Sequence, residues 1–231
     1  MFHKPYRMAA GLAVTLACLL PAGNGGQVPR SKTLVESASE IALPAPARTG
    51  RISLEEALAR RRSVREFSTT PLTAQELSQL LWAAQGITHP EGLRTAPSAG
   101  ALYPLELYVA TAAGFYHYDP QLHRLRKHAE GDLRPALYRA ALEQPPVLQA
   151  PAVFLIAAVY ERTAKKYGKE RAVRYVHIEA GHAAENLLLQ AVTLNLGAVP
   201  VGAFDDAQLQ KAASLPAGQR PLYLIPAGHP R

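Results

Sequence analysis

The sequence has very little cysteine: Cys18 is the single one among 231 residues. One thiol excludes an internal disulfide and any metal site that needs several cysteines. Charged residues are also modest in number, at 19%, against 48% hydrophobic residues. These values are typical of a globular protein, and the length beyond the N-terminal region allows one domain with a substantial core.

Basic residues exceed acidic ones, which gives a formal net charge of +7 at pH 7. They cluster in two places, Arg60–Arg65 and Lys165–Arg171. A nucleic-acid-binding surface needs Lys and Arg spread over one face, with aromatic residues between them. The first cluster is too local for a duplex and suits one phosphate, and the second is typical of a solvated helix face. We therefore predict no nucleic-acid partner.

The N-terminal region has the pattern of an export signal. Lys4 and Arg7 precede the apolar run Met8–Leu20, and small residues follow at Pro21–Gly23. A basic start, a short apolar run and a small-residue site are typical of a secretory signal peptide. We therefore expect an exported, periplasmic protein or one anchored to the membrane by its N-terminus.

Three other interpretations of this region stay open. The apolar run is short for a transmembrane helix, but it could serve as an uncleaved anchor. Cys18 lies in a sequence that weakly resembles a lipoprotein box, so lipidation is a further alternative. Translation could also begin later, which would leave a cytoplasmic enzyme. The predicted organisation is a signal peptide or anchor over residues 1–23, a flexible Gly-, Pro- and Ser-rich linker over 24–50, and a domain over 51–231.

The strongest helical pattern runs from Val173 to Leu196. Apolar residues recur at three- and four-residue steps and extend around most of the circumference, which indicates a helix buried in the domain or in an interface. Small residues at Ala180–Ala184 would let a second helix approach closely. Charged residues interrupt the pattern too often for a membrane span. We expect Gly197 to end the helix.

The remaining patterns mix strands and helices and predict an α+β fold. Capping boxes after Ser53 and Thr73 begin two helices, and Thr88–Ala101 is predicted to be a loop. Further helices are predicted at Leu133–Leu142 and up to Ala213, and Glu161–Lys169 is predicted to be a polar helix or a loop. Strands are predicted at Leu105–Ala112, in a hairpin from Gly114 to Lys127, at Ala152–Val159 and at Pro221–Ala227.

Two segments carry groups suited to binding a ligand. Arg61, Ser63 and Arg65 alternate just past a helix, and alternate side chains of an extended chain share a face. Two guanidinium groups and a hydroxyl on one face match a phosphate and neighbouring polar groups, although an Arg-rich helix end is more often solvated surface. The small residues of Arg94–Pro104 could lie flat against an aromatic ring system, or form an ordinary turn-rich loop.

Taken together and in order, five segments of this sequence resemble the nitroreductase superfamily, and more narrowly its SagB/ThcOx-type dehydrogenase branch. The resemblance extends from about Ile52 to Gly228. The segments are Arg-Arg-Ser-Val-Arg-Glu-Phe (61–67), Pro-Ser-Ala-Gly-Ala-Leu-Tyr-Pro-Leu-Glu-Leu-Tyr-Val (97–109), Gly-Phe-Tyr-His-Tyr-Asp-Pro (114–120), Glu-Asn-Leu-Leu-Leu-Gln-Ala (185–191) and Leu-Gly-Ala-Val-Pro-Val-Gly (196–202).

The resemblance implies an α+β homodimer, in which helices flank a mixed or antiparallel sheet and FMN binds at the subunit interface. Three groups of residues would contact the cofactor, together with Arg231, the one basic residue close enough to the C-terminus to reach the phosphate. They are Arg61, Ser63 and Arg65 on the phosphate, ribityl and pyrimidine side, Pro97, Ser98, Ala99 and Gly100 from the partner subunit, and Pro200, Val201 and Gly202 along the isoalloxazine, with a backbone N–H near N5.

The resemblance also implies an FMN-dependent oxidoreductase that transfers a hydride through flavin N5. It would be an NAD(P)H-dependent reductase, or a SagB-type dehydrogenase or oxidase of a small molecule or peptide azoline. An azoline oxidase needs a base, for which Tyr103, Lys165 and Lys166 are the polar candidates, although Tyr103 could equally be a packing residue. The alternatives are a flavin-binding protein of this fold without NAD(P)H turnover, and an exported binding module that is not an enzyme.

Glu179, His182 and Glu185 share a helix face in the predicted helix and invite a metal interpretation. One histidine and two carboxylates without further ligands are too few for a typical site. We therefore predict a structural role for these residues and no metal.

Overall fold

A computed structural model describes residues 39–231 of the chain, so the predicted signal peptide or anchor lies outside the described residues. In the described part, no helix has both the length and the apolar composition needed to cross a bilayer. The strands are β1 (Glu40–Ala42), β2 (Leu105–Thr111), β3 (Gly114–Asp119), β4 (Arg124–Ala129), β5 (Ala152–Ala158), β6 (Gly197–Ala198) and β7 (Arg220–Gly228). The helices are α1 (Leu54–Arg60), α2 (Ala74–Gln85), α3 (Arg134–Ala140), α4 (Pro145–Gln149), α5 (Tyr160–Tyr167), α6 (Lys169–Thr193) and α7 (Asp206–Ala212).

The strands form one seven-stranded sheet in the order β1-β4-β3-β2-β5-β7-β6. Every neighbouring pair is antiparallel, as the predicted α+β fold allows. All seven residues of β5 are buried, because β5 lies in the interior of the sheet with helices on both faces. Alternate side chains enter two core clusters, one with α2 and α6 and the other with α3, α4 and α7.

The ordered domain begins earlier than predicted. β1 pairs with β4 through Glu40↔Arg126 and Ala42↔Arg124. Ala47 then exchanges two hydrogen bonds with the Gln79 side chain, at 2.8 and 3.1 Å. The predicted linker over residues 24–50 is therefore wrong for its last part, because a three-residue strand is too short to produce a hydrophobic period.

The long helix α6 differs in its limits from the predicted one. It begins at Lys169, after Gly168 with φ +81°, and ends at Thr193 rather than before Gly197. Asn195 takes the left-handed conformation after the helix, with φ +57°. Asparagine tolerates that conformation better than most residues, so the chain does not need a glycine at this turn.

One face of α6 is not covered by the other residues of the described part, 39–231. Val173 and Ile178 are exposed, Ile178 at 50% of its surface. Gly181, in the next turn of the helix, is exposed as well. Ala180, Ala183 and Ala184 instead belong to the chain's own core, and Ala184 is 4% exposed. The predicted approach of a second helix is confirmed at the three alanines, where α2 of the same chain packs against α6, whereas Gly181 lies on the open face.

Candidate functional site

The segment Arg61–Phe67, called here the arginine segment, leaves α1 and runs beside β6. Arg61 ends the helix with ψ 125°. Ser63 then forms a parallel bridge with Ala198, and the Val64 N–H donates to the Ala198 carbonyl at 3.1 Å. A Cβ added at Gly197 would lie 2.5 Å from Val64 Cγ1, so the close approach of the two segments requires glycine there.

The far end of the arginine segment is tied to the last residues of the chain. Phe67 forms an antiparallel bridge with Pro230, and the Ser68 N–H donates to the His229 carbonyl at 2.8 Å. The Arg231 N–H donates to the Glu66 carbonyl at 3.3 Å. The exposed Arg231 is therefore held beside the arginine segment. Both were predicted to contact the phosphate of the cofactor.

The side chains of Arg61, Ser63 and Arg65 in the arginine segment remain available to a ligand. Arg61 has a loose ion pair with Glu185, with Nε 3.9 Å from Oε1. Ser63 and Arg65 are exposed, and their side chains make no hydrogen bond or ion pair with residues 39–231. Arg62, by contrast, donates to the backbone carbonyls of Ala59 and Arg61. The segment thus offers two cations and a hydroxyl that its own fold does not use.

The segment Pro200–Gly202 lies along β7. The Val201 N–H donates to the Leu224 carbonyl at 2.8 Å, and the Val201 side chain is 5% exposed within the core. The Val201 side chain therefore lies in the core, and both its N–H and its carbonyl are paired with Leu224. Its place along a flat cofactor stays a prediction. Gly202 is exposed, and because it has no side chain a planar group could lie close to its backbone. The Tyr223 ring lies beside it, 3.7 Å from the position of an added Cβ.

The segment Pro97–Tyr103, called here the Ser98 loop, follows α2 and precedes β2. Within residues 39–231, no hydrogen bond or ion pair joins it to Arg61, Ser63 or Arg65. It lies instead against the end of α5, where a Cβ added at Gly100 would come within 2.8 Å of Tyr167 Oη and 2.9 Å of Lys166 Nζ. Of the two lysines predicted as a base, Lys166 is the one that this contact brings to the loop.

The Ser98 loop has an unusual backbone that its own side chains support. Gly100, Ala101 and Tyr103 have φ values of +66°, +54° and +46°. The Ser98 hydroxyl accepts the Tyr103 N–H at 2.9 Å, and the Tyr103 hydroxyl accepts the Arg94 N–H at 3.1 Å. Tyr103 therefore holds the loop, which favours its packing interpretation over a catalytic one.

A buried polar network continues from the loop into the sheet. The Arg94 guanidinium lies 4.5 Å from the centre of the Tyr103 ring and donates to Gln85 Oε1 at 2.8 Å. Burial lowers the pKa of Arg94, and the nearby Glu106 carboxylate opposes that decrease. Burial alone would raise the pKa of Glu106, but hydrogen bonds from His117 and charge from Arg162 outweigh it and keep the pKa below its usual value.

Glu179 enters this network from α6. It is 3% exposed, and its Oε1 atom has no hydrogen-bond partner among the described residues. Burial raises the pKa of Glu179 to about 7, while the Ser98 hydroxyl and the Arg94 guanidinium oppose the increase. The sequence could have indicated that Glu179 is buried. It lies three residues after Val176 and four before Ala183, on the same buried face of the helix.

The metal interpretation fails on geometry. Glu179 is buried whereas His182 and Glu185 are exposed, so the predicted sharing of one helix face is wrong for Glu179. Across residues 39–231, no group of three or more His, Cys, Asp or Glu side chains is arranged to hold a metal ion.

Three comparisons with known proteins agree on the family. A nitroreductase of Methanocaldococcus jannaschii is 45% identical over 183 residues, which cover 77% of this chain and 91% of that protein. A crystal structure of a nitroreductase from Ralstonia eutropha JMP134 superposes with a TM-score of 0.76 at 32% identity, covering 85% of this chain and 91% of the other.

A more distant structure shows the same fold. The NADPH:FMN oxidoreductase of Vibrio harveyi, complexed with NAD+, has a TM-score of 0.58 at 22% identity, with 77% of this chain and 68% of that chain covered. The nitroreductase family model matches residues 58–229, which contain the arginine segment, the Ser98 loop and Gly202. On these matches the chain belongs to the nitroreductase family.

Proposed function

We propose that this protein is an FMN-dependent oxidoreductase. The observation that carries the proposal is the open set of donors in the arginine segment, next to a backbone that a planar group can approach at Gly202. Arg61 and Arg65 supply two guanidinium groups, and Ser63 supplies a hydroxyl between them. A phosphate and a polar ribityl chain need such donors, and guanidinium groups bind phosphate oxygens in pairs.

Each part of the site has a role in this proposal. Arg61 and Arg65 hold the phosphate and the pyrimidine side, assisted by Arg231, which the hydrogen bond to Glu66 keeps nearby. Pro200 and Gly202 leave room for the ring system along the edge of β7. FMN, when bound, supplies hydride transfer, and the protein supplies binding, orientation and a fixed polar environment.

The open face of α6 supports the proposal of a homodimer. Ile178 and Val173 on α6, and Leu54 and Leu58 on α1, are exposed apolar side chains in the single chain. Exposed apolar patches mark interaction surfaces, and a second copy that covered α1 and α6 would bury these side chains. Within residues 39–231, no hydrogen bond or ion pair joins the Ser98 loop to Arg61, Ser63 or Arg65, and we propose that the Ser98 loop of a second copy completes the site.

The SagB-type branch is the finer part of the proposal. Lys166 and Tyr167 lie beside Gly100, so a substrate bound near the Ser98 loop would meet an amine and a phenol. Lys166 is our candidate for the base that an azoline oxidation requires. The nicotinamide nucleotide in the Vibrio harveyi structure makes NADH and NADPH the first electron donors to test.

The test is spectroscopic. Purified protein should be yellow, with an FMN absorption spectrum, and should release FMN without covalent attachment on denaturation. Bleaching of the flavin by NADH or NADPH under anaerobic conditions would support a reductase. A yellow protein that neither nucleotide bleaches would favour direct substrate oxidation or flavin binding without NAD(P)H turnover. A colourless protein that does not bind added FMN would contradict the proposal.

We also propose export or membrane anchoring through residues 1–23, which rests on the sequence pattern of a basic start, an apolar run and small residues. Mass spectrometry of the native N-terminus, together with cell fractionation, tests this proposal. A soluble cytoplasmic protein that begins near Ser31 or later would contradict it.

A further inference from the structure

Tyr103, at the end of the Ser98 loop, has a backbone conformation that needs contacts to hold it. Its φ is +46°, in the left-handed region that bulky residues rarely adopt. Such a conformation persists only where the surrounding structure imposes it. The Tyr103 N–H donates to the Ser98 hydroxyl at 2.9 Å, and the Tyr103 hydroxyl accepts the Arg94 N–H at 3.1 Å. Both partners precede Tyr103 closely in the chain, so these bonds shape the loop without attaching it to another element.

The Tyr103 carbonyl lies just before the sheet begins. The next carbonyl, that of Pro104, accepts the Val159 N–H at 2.8 Å and continues the pairing of β2 with β5. A backbone carbonyl at such a position needs a partner of its own. Arg162 of α5 supplies it, because Nη1 donates to the Tyr103 carbonyl at 3.0 Å. This bond attaches the loop to α5.

The same face of α5 meets the loop one turn later. Lys166 follows Arg162 by four residues, so the two side chains are neighbours on the helix surface. Lys166 Nζ lies 2.9 Å from the position of a Cβ added at Gly100. Arg162 thus holds the Tyr103 end of the loop, and Lys166 lies against its Gly100 turn.

Glu106 in turn orients Arg162. The Arg162 side chain is 42% exposed, so without a fixed partner it would sample many rotamers. Its Nη2 donates to Glu106 Oε1, and the guanidinium fork therefore spans a carboxylate and a carbonyl. Glu106 is 14% exposed on β2, and its Oε2 accepts from His117 Nε2 of β3 at 2.6 Å. A chain of hydrogen bonds thus runs from the β2–β3 hairpin through Glu106 and Arg162 to the Tyr103 carbonyl.

We propose that Arg162, oriented by Glu106, is a positioning residue that fixes the Ser98 loop for its contact with FMN in the site of a second copy. The inference rests on the proposed FMN function and deepens it, because it names the residues on which the position of the loop depends. Neither Arg162 nor Glu106 touches the cofactor. Loss of the Arg162 side chain leaves the Tyr103 carbonyl without this partner, so the loop should relax and bind FMN less tightly.

The experiment compares Arg162→Ala with Arg126→Ala, because the two variants remove similar ion pairs. Arg126 of β4 is 47% exposed and pairs at 2.6 Å with Asp119, which is 13% exposed. Within residues 39–231, the Arg126 side chain makes no hydrogen bond to a backbone carbonyl. Fluorescence titration gives the FMN dissociation constant, and the visible circular dichroism of the bound flavin reports its surroundings. Thermal unfolding of the apoprotein reports stability, and light scattering reports the oligomeric state.

Arg162→Ala should raise the FMN dissociation constant about tenfold, the scale of one hydrogen bond to a charged group, and should change the flavin dichroism. Arg126→Ala should leave both unchanged, although the two variants should lose similar amounts of stability. Glu106→Gln removes the charge that orients Arg162 and should weaken FMN binding in the same direction. It carries the test if Arg162→Ala does not fold.

An FMN affinity and a flavin dichroism in Arg162→Ala that equal those of the wild type overturn the inference, while the FMN proposal stands. Equal losses of affinity in Arg162→Ala and Arg126→Ala also overturn it, because the cause would then be a general loss of stability. Conversion of Arg162→Ala to a monomer overturns it as well, since the loss would arise at the interface. If the wild type binds no FMN, the proposed function itself fails and this inference fails with it.

Discussion

At the scale of single residues, neighbouring arginines on one short segment have different uses. Arg60 pairs with Glu56 at 2.9 Å on the surface of α1, and Arg62 caps backbone carbonyls. Arg61 has a loose partner at 3.9 Å, and Arg65 has none among the described residues. Identical side chains are thus divided between supporting the chain and facing a ligand.

This division predicts the effect of Arg61→Ala on FMN binding. We expect the binding free energy to weaken by about 1.5–3 kcal/mol, the scale of a hydrogen bond to a charged group. Arg60→Ala is the matched control and should change binding little, because its side chain is already paired with Glu56. Fluorescence titration with FMN measures both, and equal losses in the two variants would contradict the assignment.

Glu179 also predicts how stability depends on pH. Because its pKa is raised from 4.5 to about 7 in the folded protein, folding favours the protonated form. Its contribution to stability is therefore complete below pH 4.5 and is lost as the pH rises through 7. Glutamine imitates the protonated form, so Glu179→Gln should raise the free energy of unfolding by about 2 kcal/mol more at pH 8 than at pH 5.

Urea unfolding at the two pH values measures this difference, with Glu170→Gln as the exposed control. An equal effect of Glu179→Gln at both pH values would show that the carboxyl is not buried as described.

At the scale of elements, the contact between the arginine segment and β6 depends on Gly197, which has no side chain. Gly197→Ala would place a methyl group 2.5 Å from Val64 Cγ1 and separate the two segments. Overpacking of this kind costs about 1–3 kcal/mol. Gly218→Ala is the control, since a Cβ there would meet nothing within 4 Å.

Shortening the Val64 side chain should reverse the effect of Gly197→Ala. The double variant Gly197→Ala, Val64→Ala is expected to recover part of the stability and of the FMN affinity lost in Gly197→Ala. Thermal unfolding and flavin titration of the wild type, Gly197→Ala, Val64→Ala and the double variant measure this coupling. Additive losses in the double variant would exclude the direct contact as the cause.

The elements also indicate what periodicity can and cannot predict. The alternation of β2 and the period of α6 were visible in the sequence because their side chains enter a common core. The end of α6 was not, since Gly197 is required by Val64 and not by a helix cap. The support of the Ser98 loop was likewise hidden, because it comes from the Ser98 hydroxyl and from the contact of Tyr103 with Arg94, which no periodic pattern records.

The motifs 61–67 and 196–202 could be predicted to cooperate only through the family resemblance. Nothing in the residues of either segment identifies the other as its neighbour, and the bridge between Ser63 and Ala198 is a property of the fold. The burial of Val201 was equally unpredictable, because it depends on Leu224 of a later strand.

At the scale of the whole molecule, the proposed dimer gives a prediction for the open face of α6. Ile178→Glu should abolish the dimer and FMN binding together, because a charge would be buried without a partner in the interface. In the single chain this position is exposed at 50%, so folding itself should not be affected. Leu122→Glu, at an exposed apolar position beyond β3, is the control.

Size-exclusion chromatography with light scattering and the flavin-to-protein ratio measure both effects. A compact, flavin-loaded monomer of the wild type would refute the dimer. Loss of the dimer with full retention of FMN in Ile178→Glu would show that one chain is sufficient for the cofactor.

The bridges of the arginine segment also set an order of events during folding. Ser63 pairs with Ala198, and Ser68 pairs with His229, so an early part of the chain acquires its partners from the last two strands. Closing such long loops costs entropy that local contacts cannot offset, which makes these pairings slow to form. The donors for the cofactor should therefore be assembled late, after the central strands have paired, and apoprotein trapped before that step would have a formed sheet but no affinity for FMN.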